Sequence, residues 1–402
     1  MLDSLKMIFQ RLLDATVTTH FRSLYQEFNL KNRLTGLVGP RGVGKTTLLI
    51  QYIKNNFPTL ANVFYFSADH IYFKDKTLYE FVETLFLKES IHTFFIDEIH
   101  KYLNWSQELK NLYDGFPHIT IVFSGSSSLD LIKGSYDLSR RAKMYHLPGL
   151  SFREYLNFQC AASFERYDLK DLMSDPQQFN SHLSNFSGML GHFHQYLKQG
   201  FYPFVQENAG SYYEKLLAII EKTIYEDITN YYNLKTANLI YLSKILNYLA
   251  SIPPGNISTY NVGKNLGIDD KTAASYLLML KETGLVEIIY AVATGNQVLR
   301  KPEKVFLDNT NLHYALQSDS AKPTDLGTVR ELAFVQSTVN AGLLVFHHKT
   351  ADYQIGQYVY EIGGKNKTRQ QLQGIKDAFL VKDDIVVASS GVIPLFYFGF
   401  LY

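Results

Sequence analysis

The stretch "LTGLVGPRGVGKTTLLIQYIKNN", residues 34–56, decides the fold. Leu34–Val38 is a short apolar run of strand character, and Thr47–Asn55 places apolar residues at helical spacing. Between them, Gly39, Pro40, Arg41, Gly42, Val43, Gly44, Lys45 and Thr46 spell G-x-x-x-x-G-K-[ST] in the strand–loop–helix setting that the motif needs. Its glycines let successive backbone N–H groups turn inward around phosphates, at the positive end of a helix that Thr47 continues. Lys45 sets a charge against the β- and γ-phosphates, and the Thr46 hydroxyl is suited to ligate Mg²⁺. The expected fold class is therefore α/β, with a parallel sheet at its centre.

Two further strands supply acids and hydroxyls. "NVFYFSADH" (62–70) is an apolar run with Asp69 at its end, and the apolar Thr93–Ile96 ends in Asp97-Glu98. Carboxylates at the C-terminal edge of a buried parallel strand face the crevice where such sheets bind ligands. Asp97 is expected to hold Mg²⁺ through water, and Glu98 to act as general base on the attacking water. His100 and Lys101 read as surface helix positions. "HITIVFSGSSSLDLI" (118–132) ends its strand at Ser124-Gly125-Ser126. Ser124 is a candidate γ-phosphate sensor, whereas Ser126–Ser128 read as helix-capping serines. Arg140 and Arg141 follow a turn, where an arginine either reaches a γ-phosphate or is simply solvated.

Taken together, "GPRGVGKTT", "FFIDEIH", "FSGSSS", "DLSRRA" and "LPGLSFREYL" resemble a bacterial and archaeal family of AAA-type P-loop ATPases. Members of that family carry a C-terminal domain with a restriction-nuclease-like core. The resemblance implies binding of ATP with Mg²⁺, and its hydrolysis. It also makes Pro203, in "GFYPF" (200–204), a candidate contact to the nucleotide base. Here Phe201 and Tyr202 precede the proline, a departure that alters the local packing.

The middle of the chain is helical in pattern. A helix is expected to end at Pro253-Pro254-Gly255, and a short one, Thr259–Leu266, to stop at Gly267. After Asp269-Asp270 another should run over Lys271–Thr283, followed by a strand in "LVEIIYAVA". That order is the one found in winged helices. The second helix carries only Lys271 and Lys281 against Asp269, Asp270 and Glu282, which is poor provision for binding phosphates.

From Lys301 a new unit reads as strand, helix, a helix with Glu331, a turn with Asp352 and a strand with Glu361. This order resembles the PD-(D/E)xK nuclease core, which makes Asp352 and Glu361 candidate metal ligands. The lysine is displaced, because the sequence reads Glu361-Ile-Gly-Gly-Lys365 rather than Glu-x-Lys. Strand alternation keeps positions i and i+4 on one side, with Lys365 about 7 Å further along. The apolar tail "VIPLFYFGFLY" reads as a buried terminal strand.

Composition closes off several classes. The chain has 402 residues, a net charge of +1 and one cysteine, Cys160, so neither a global basic field nor a disulfide framework is present. No apolar run is long enough to span a bilayer as a helix, and the expected location is the cytoplasm. The expected organisation is an N-terminal helix (1–28), a P-loop ATPase domain (29–158) and a helical lid (159–232). A winged-helix domain (233–300) and a nuclease-like α/β domain (301–402) complete it. The expected activity is ATP hydrolysis driving a conformational switch or motor whose output is nucleic-acid handling. A switch acting on protein partners, with an inert C-terminal domain, and an ATP-gated nuclease stay open. DNA, proteins and further copies of the chain remain alternative partners.

Overall fold

The computed structural model describes residues 2–126, 138, 140–207, 209–232, 234–292, 302–318, 320 and 323–402. They divide into two compact units, Met1–Gly149 and Leu150–Tyr402.

The first unit is built on five parallel strands: β1 (Leu34–Gly39), β2 (Val63–Ser67), β3 (Thr93–Asp97), β4 (Thr120–Ser126) and β5 (Ala142–His146). Their spatial order is β2-β3-β4-β1-β5. Phe94, Phe95 and Ile96 of β3 have no exposed surface, and burying each contributes roughly 1.5–3 kcal/mol. Helix α1 (Leu2–Ala15) buries Leu5, Phe9 and Leu13, one turn apart. Phe9 lies edge-on to Phe64 of β2 at 5.8 Å between ring centroids. Registers set the ends of the strands level. Ser67 pairs with Asp97, Gly39 with Ser126, and Val38 with His146, so β2, β3, β4 and β5 each deliver a polar residue to the same edge as the loop after β1.

The second unit has helices at Phe152–Gln159, Leu169–Ser174, Asn180–Ser184, Met189–Gln199 and Tyr212–Lys222, the last continuing in a π-helical turn, Thr223–Ile228. Helices follow at Thr236–Ser251, Thr259–Leu266 and Asp270–Glu282. Gly267 stops the second of these at φ +69°, and the Asp269 carboxylate caps the third by accepting the Lys271 and Thr272 N–H groups. A seven-stranded mixed sheet follows, with β6 (Val286–Ala291), β7 (Lys304–Leu307), β8 (Phe346–His347), β9 (Tyr353–Ile355), β10 (Tyr358–Gly363), β11 (Ala378–Lys382) and β12 (Val392–Pro394). Its order is β12-β11-β10-β9-β8-β6-β7.

β6 pairs with β7 as an antiparallel hairpin that straddles residue 300, and its far end runs parallel to β8. One hydrophobic core joins Phe152, Phe193 and Tyr196 of the early helices to Phe396 and Phe400 near the end of the chain. The terminal apolar run corrects the expected strand. Only Val392–Pro394 is extended, and Leu395–Phe400 winds as a fully buried 3₁₀ helix. Pro394 has no N–H to give to a sheet, and the aromatic run fills the core without pairing edgewise.

Candidate functional site

The loop after β1 owes its shape to its glycines. Gly42 and Gly44 stand at φ +82° and +95°, a region that side chains with a Cβ rarely enter. A Cβ on Gly39 would lie 2.1 Å from the Leu147 carbonyl oxygen. The loop is also braced from behind. The buried Arg22 donates from Nη1 to Val43 O (2.7 Å), and from Nη2 to Pro148 O (2.7 Å) and Gly149 O (2.9 Å). Sequence reasoning did not find Arg22, because no motif marks an arginine that works through backbone carbonyls.

Lys45 opens the helix Lys45–Asn56, and its ammonium donates to the carbonyls of Gly39 and Pro40, each at 2.9 Å. It is thereby held over the loop. Beside it the Thr46 hydroxyl donates to Asp97 Oδ2 at 2.5 Å. The Asp97 carboxylate also accepts from Tyr65 OH (2.8 Å), from the Glu98 N–H (3.0 Å) and from the Ser124 hydroxyl. Ser124 therefore faces Asp97 in this structure. Burial, then the Asp97 charge, pushes the Tyr65 phenol far up, which keeps it a donor. The hydroxyl of Thr46 and the carboxylate of Asp97 are adjacent hard oxygen donors, the set that suits Mg²⁺.

Glu98 follows in a left-handed conformation, φ +50°. Burial, and then Asp97, raises its carboxyl above the usual range, while Lys45 and Arg41 pull it down. His100, expected on the surface, is not there. Its side chain is 5% exposed, with Nε2 2.9 Å from Ser126 Oγ and 3.5 Å from Glu98 Oε2. The physical reason is that Ile99–Lys101 forms a 3₁₀ turn that tucks under the tip of β4 instead of continuing as a surface helix. Ser126 is the last residue of β4; Ser127 and Ser128 lie outside the described residues.

The two arginines differ. Arg141 forms a bidentate pair with Asp114, Nε–Oδ1 at 3.1 Å and Nη2–Oδ2 at 3.0 Å, and lies over the Tyr113 ring. Arg140 is exposed. Pro203 belongs to the second unit, where it begins a 3₁₀ turn, Pro203–Gln206.

In the C-terminal sheet, Lys304 ties the predicted acids together. Its Nζ lies 2.5 Å from Glu331 Oε2 and 3.1 Å from Asp352 Oδ1, above the Tyr353 ring. Tyr353 OH donates to Glu331 Oε2 (2.6 Å), and the Ile362 N–H to Asp352 Oδ2 (2.9 Å). Burial works against the Lys304 charge, but Glu331 and Asp352 outweigh it and raise its pKa. Sequence reasoning missed Lys304 because it stands 27 and 48 residues from its partners.

The expectation for Lys365 is corrected. β10 ends at Gly363 and the chain turns, with the Lys367 N–H donating to Gly364 O, so strand alternation does not reach Lys365. Lys367 takes the contact instead, its Nζ 2.6 Å from Glu361 Oε1. Gly363 permits this, because a Cβ there would stand 2.5 Å from the Lys367 stem. Glu361 Oε2 is buried and has no hydrogen-bond partner among the described residues. Among those residues, the one three-ligand group with metal-like spacing is His194, Asp383 and Asp384, ligand atoms within 4.8 Å. Arg330 already balances it, with Nε 3.1 Å from Asp383 Oδ2.

Residues 31–156 match the model of a family described as an AAA domain, and residues 190–322 that of a domain of unknown function, DUF8612. No curated protein matches the chain. Among solved structures, the S. cerevisiae Hsp104–ADP complex is 12% identical over 68% of this chain and 41% of that chain, at a TM-score of 0.33. C. elegans PCH-2 is 15% identical over 43% and 48%, at 0.24. AMPPCP-bound DnaA from Aquifex aeolicus is 13% identical over 69% and 87%, at 0.27. The chain thus spans under half the length of the Hsp104 and PCH-2 chains. The family match and the loop geometry together make the first unit the bearer of an AAA-type P-loop domain.

Proposed function

We propose that this chain binds ATP with Mg²⁺ and hydrolyses it as a conformational switch. The observation that carries the reading is the convergence of Lys45, Thr46, Asp97 and Glu98 at one sheet edge around a glycine-shaped loop. Lys45 stabilises charge on the transferred phosphoryl group. Thr46 and Asp97 would hold Mg²⁺, which supplies charge neutralisation between the phosphates. Glu98 takes the proton from the attacking water, and a carboxyl held above its usual range is better matched to that task near neutral pH. Ser124 steadies Asp97, Arg22 steadies the loop, and Pro203 is the proposed contact to the base. The test is turnover of ATP by the wild type, Lys45→Ala and Glu98→Gln. Loss of binding in the first and loss of turnover with binding retained in the second support the reading; wild-type turnover in both sinks it.

For the output, the lysine-filled carboxylates favour an adaptor over a nuclease. An ammonium already holds Glu331 and Asp352, and the reading of Asp352 and Glu361 as ligands of a shared metal would require its displacement. The helices at Thr259–Leu266 and Asp270–Glu282, followed by the β6–β7 hairpin, support the winged-helix reading. We infer that this second unit transmits the ATP-driven change to a protein partner. Metal-dependent nicking of supercoiled DNA by the wild type would restore the nuclease, and salt-dependent DNA binding would restore nucleic-acid handling.

A further inference from the structure

The carboxylate of Glu98 is reached by a histidine that the phosphate-loop chemistry does not require. His100 Nε2 lies 3.5 Å from Glu98 Oε2 and 2.9 Å from Ser126 Oγ, and the ring is almost wholly buried. Ser126 closes β4, two residues after Ser124, whose hydroxyl donates to Asp97. One strand tip therefore touches both acids: Asp97 directly, and Glu98 through the His100 ring. Glu98 stands at φ +50°, outside regular strand or helix. Its side chain is 26% exposed, enough freedom for several rotamers to compete. A proton on Nε2 would be shared between the Ser126 and Glu98 oxygens, tying the carboxylate to the strand.

We propose that His100 is a positioning residue for Glu98, anchored by Ser126, and that it links the tip of β4 to the acid that activates water. This rests on the reading of Glu98 as general base. His100 itself does not touch ATP and exchanges no proton with water; it narrows the directions open to the Glu98 carboxylate. Misplacement of a catalytic group by about 1 Å can cost on the order of 100-fold in rate. The expected effect is therefore on turnover and not on nucleotide affinity.

The experiment uses the full chain, measuring kcat and KM for ATP, and binding of a fluorescent ATP analogue. The variants are His100→Ala, His100→Gln, Ser126→Ala, Glu98→Gln and the double variant His100→Ala/Glu98→Gln. His100→Ala should lose about 10- to 100-fold in kcat with analogue affinity within about twofold of wild type. His100→Gln, which keeps a side-chain N–H donor, should recover part of the loss, and Ser126→Ala should show a smaller loss in the same direction. The double variant should be no slower than Glu98→Gln, because a positioning residue has no effect once its target is gone. Wild-type kcat in His100→Ala overturns the proposal while a slow Glu98→Gln leaves the base reading intact. Losses that multiply in the double variant also overturn it, since they mean that His100 acts elsewhere. Wild-type turnover in Glu98→Gln removes the base reading itself, and the proposal with it. Should His100→Ala fail to fold, the comparison of His100→Gln and Ser126→Ala with wild type decides in the same way.

Discussion

Lys304 shows how one side chain redirects a constellation of acids. Glu331, Asp352 and Glu361 follow in an order that suits a divalent ion, yet the ammonium of Lys304 sits between the first two. Removing one partner from a largely buried ion pair leaves uncompensated charge, at about 3–5 kcal/mol when burial is complete. The two acids keep 23% and 22% of their side-chain surface, so solvent screens part of this. Lys304→Met should therefore lower stability by about 2 kcal/mol in urea unfolding, and Mn²⁺ should leave the wild-type transition unchanged. A wild type stabilised by Mn²⁺ would mean that the ammonium yields to the metal. Gly363 is the second residue of consequence. Gly363→Ala pushes a methyl against the Lys367 stem, and the Glu361–Lys367 pair should open at a cost of about 1–3 kcal/mol. An unfolding midpoint equal to wild type would show that Lys367 can swing aside freely.

At the scale of elements, what could be read in advance follows the range of the forces involved. The phosphate loop, Asp97, the helix stop at Gly267 and the helix cap at Asp269 are local, each fixed by a few residues of φ preference, capping or period. Features that depend on distant partners were not legible. Arg22 serves carbonyls at 43, 148 and 149, and Lys304 serves acids at 331 and 352. His100 looked like a surface position because the residues after a strand usually begin a helix, and only the 3₁₀ turn buries it. The strand alternation assumed for Lys365 failed at a glycine pair, where backbone freedom lets the chain turn. The brace behind the loop can be tested directly. Arg22→Ala frees three carbonyls and should weaken ATP binding about 10-fold, measured by calorimetry, as the loop loses its preorganised shape. Unchanged affinity would assign the loop's rigidity to its glycines alone.

On the scale of the whole molecule, the question is what completes the ATP site. Arg141 is already committed to Asp114 and Tyr113, whereas Arg140 is exposed. Of the two, Arg140 is the better placed to reach a phosphate from another copy of the chain. If so, the rate per subunit should rise with protein concentration in the wild type and stay flat in Arg140→Ala, with Arg141→Ala behaving as wild type. Equal concentration dependence in all three would exclude a finger acting between copies. The central claim is narrower: Lys45 holds ATP and Glu98 turns it over. The most direct measurement incubates wild type, Lys45→Ala and Glu98→Gln with ATP and Mg²⁺, isolates each protein and identifies the nucleotide it carries. The account predicts ADP on the wild type, ATP on Glu98→Gln and none on Lys45→Ala. ADP on Glu98→Gln at the wild-type rate, or a fully loaded Lys45→Ala, would contradict it.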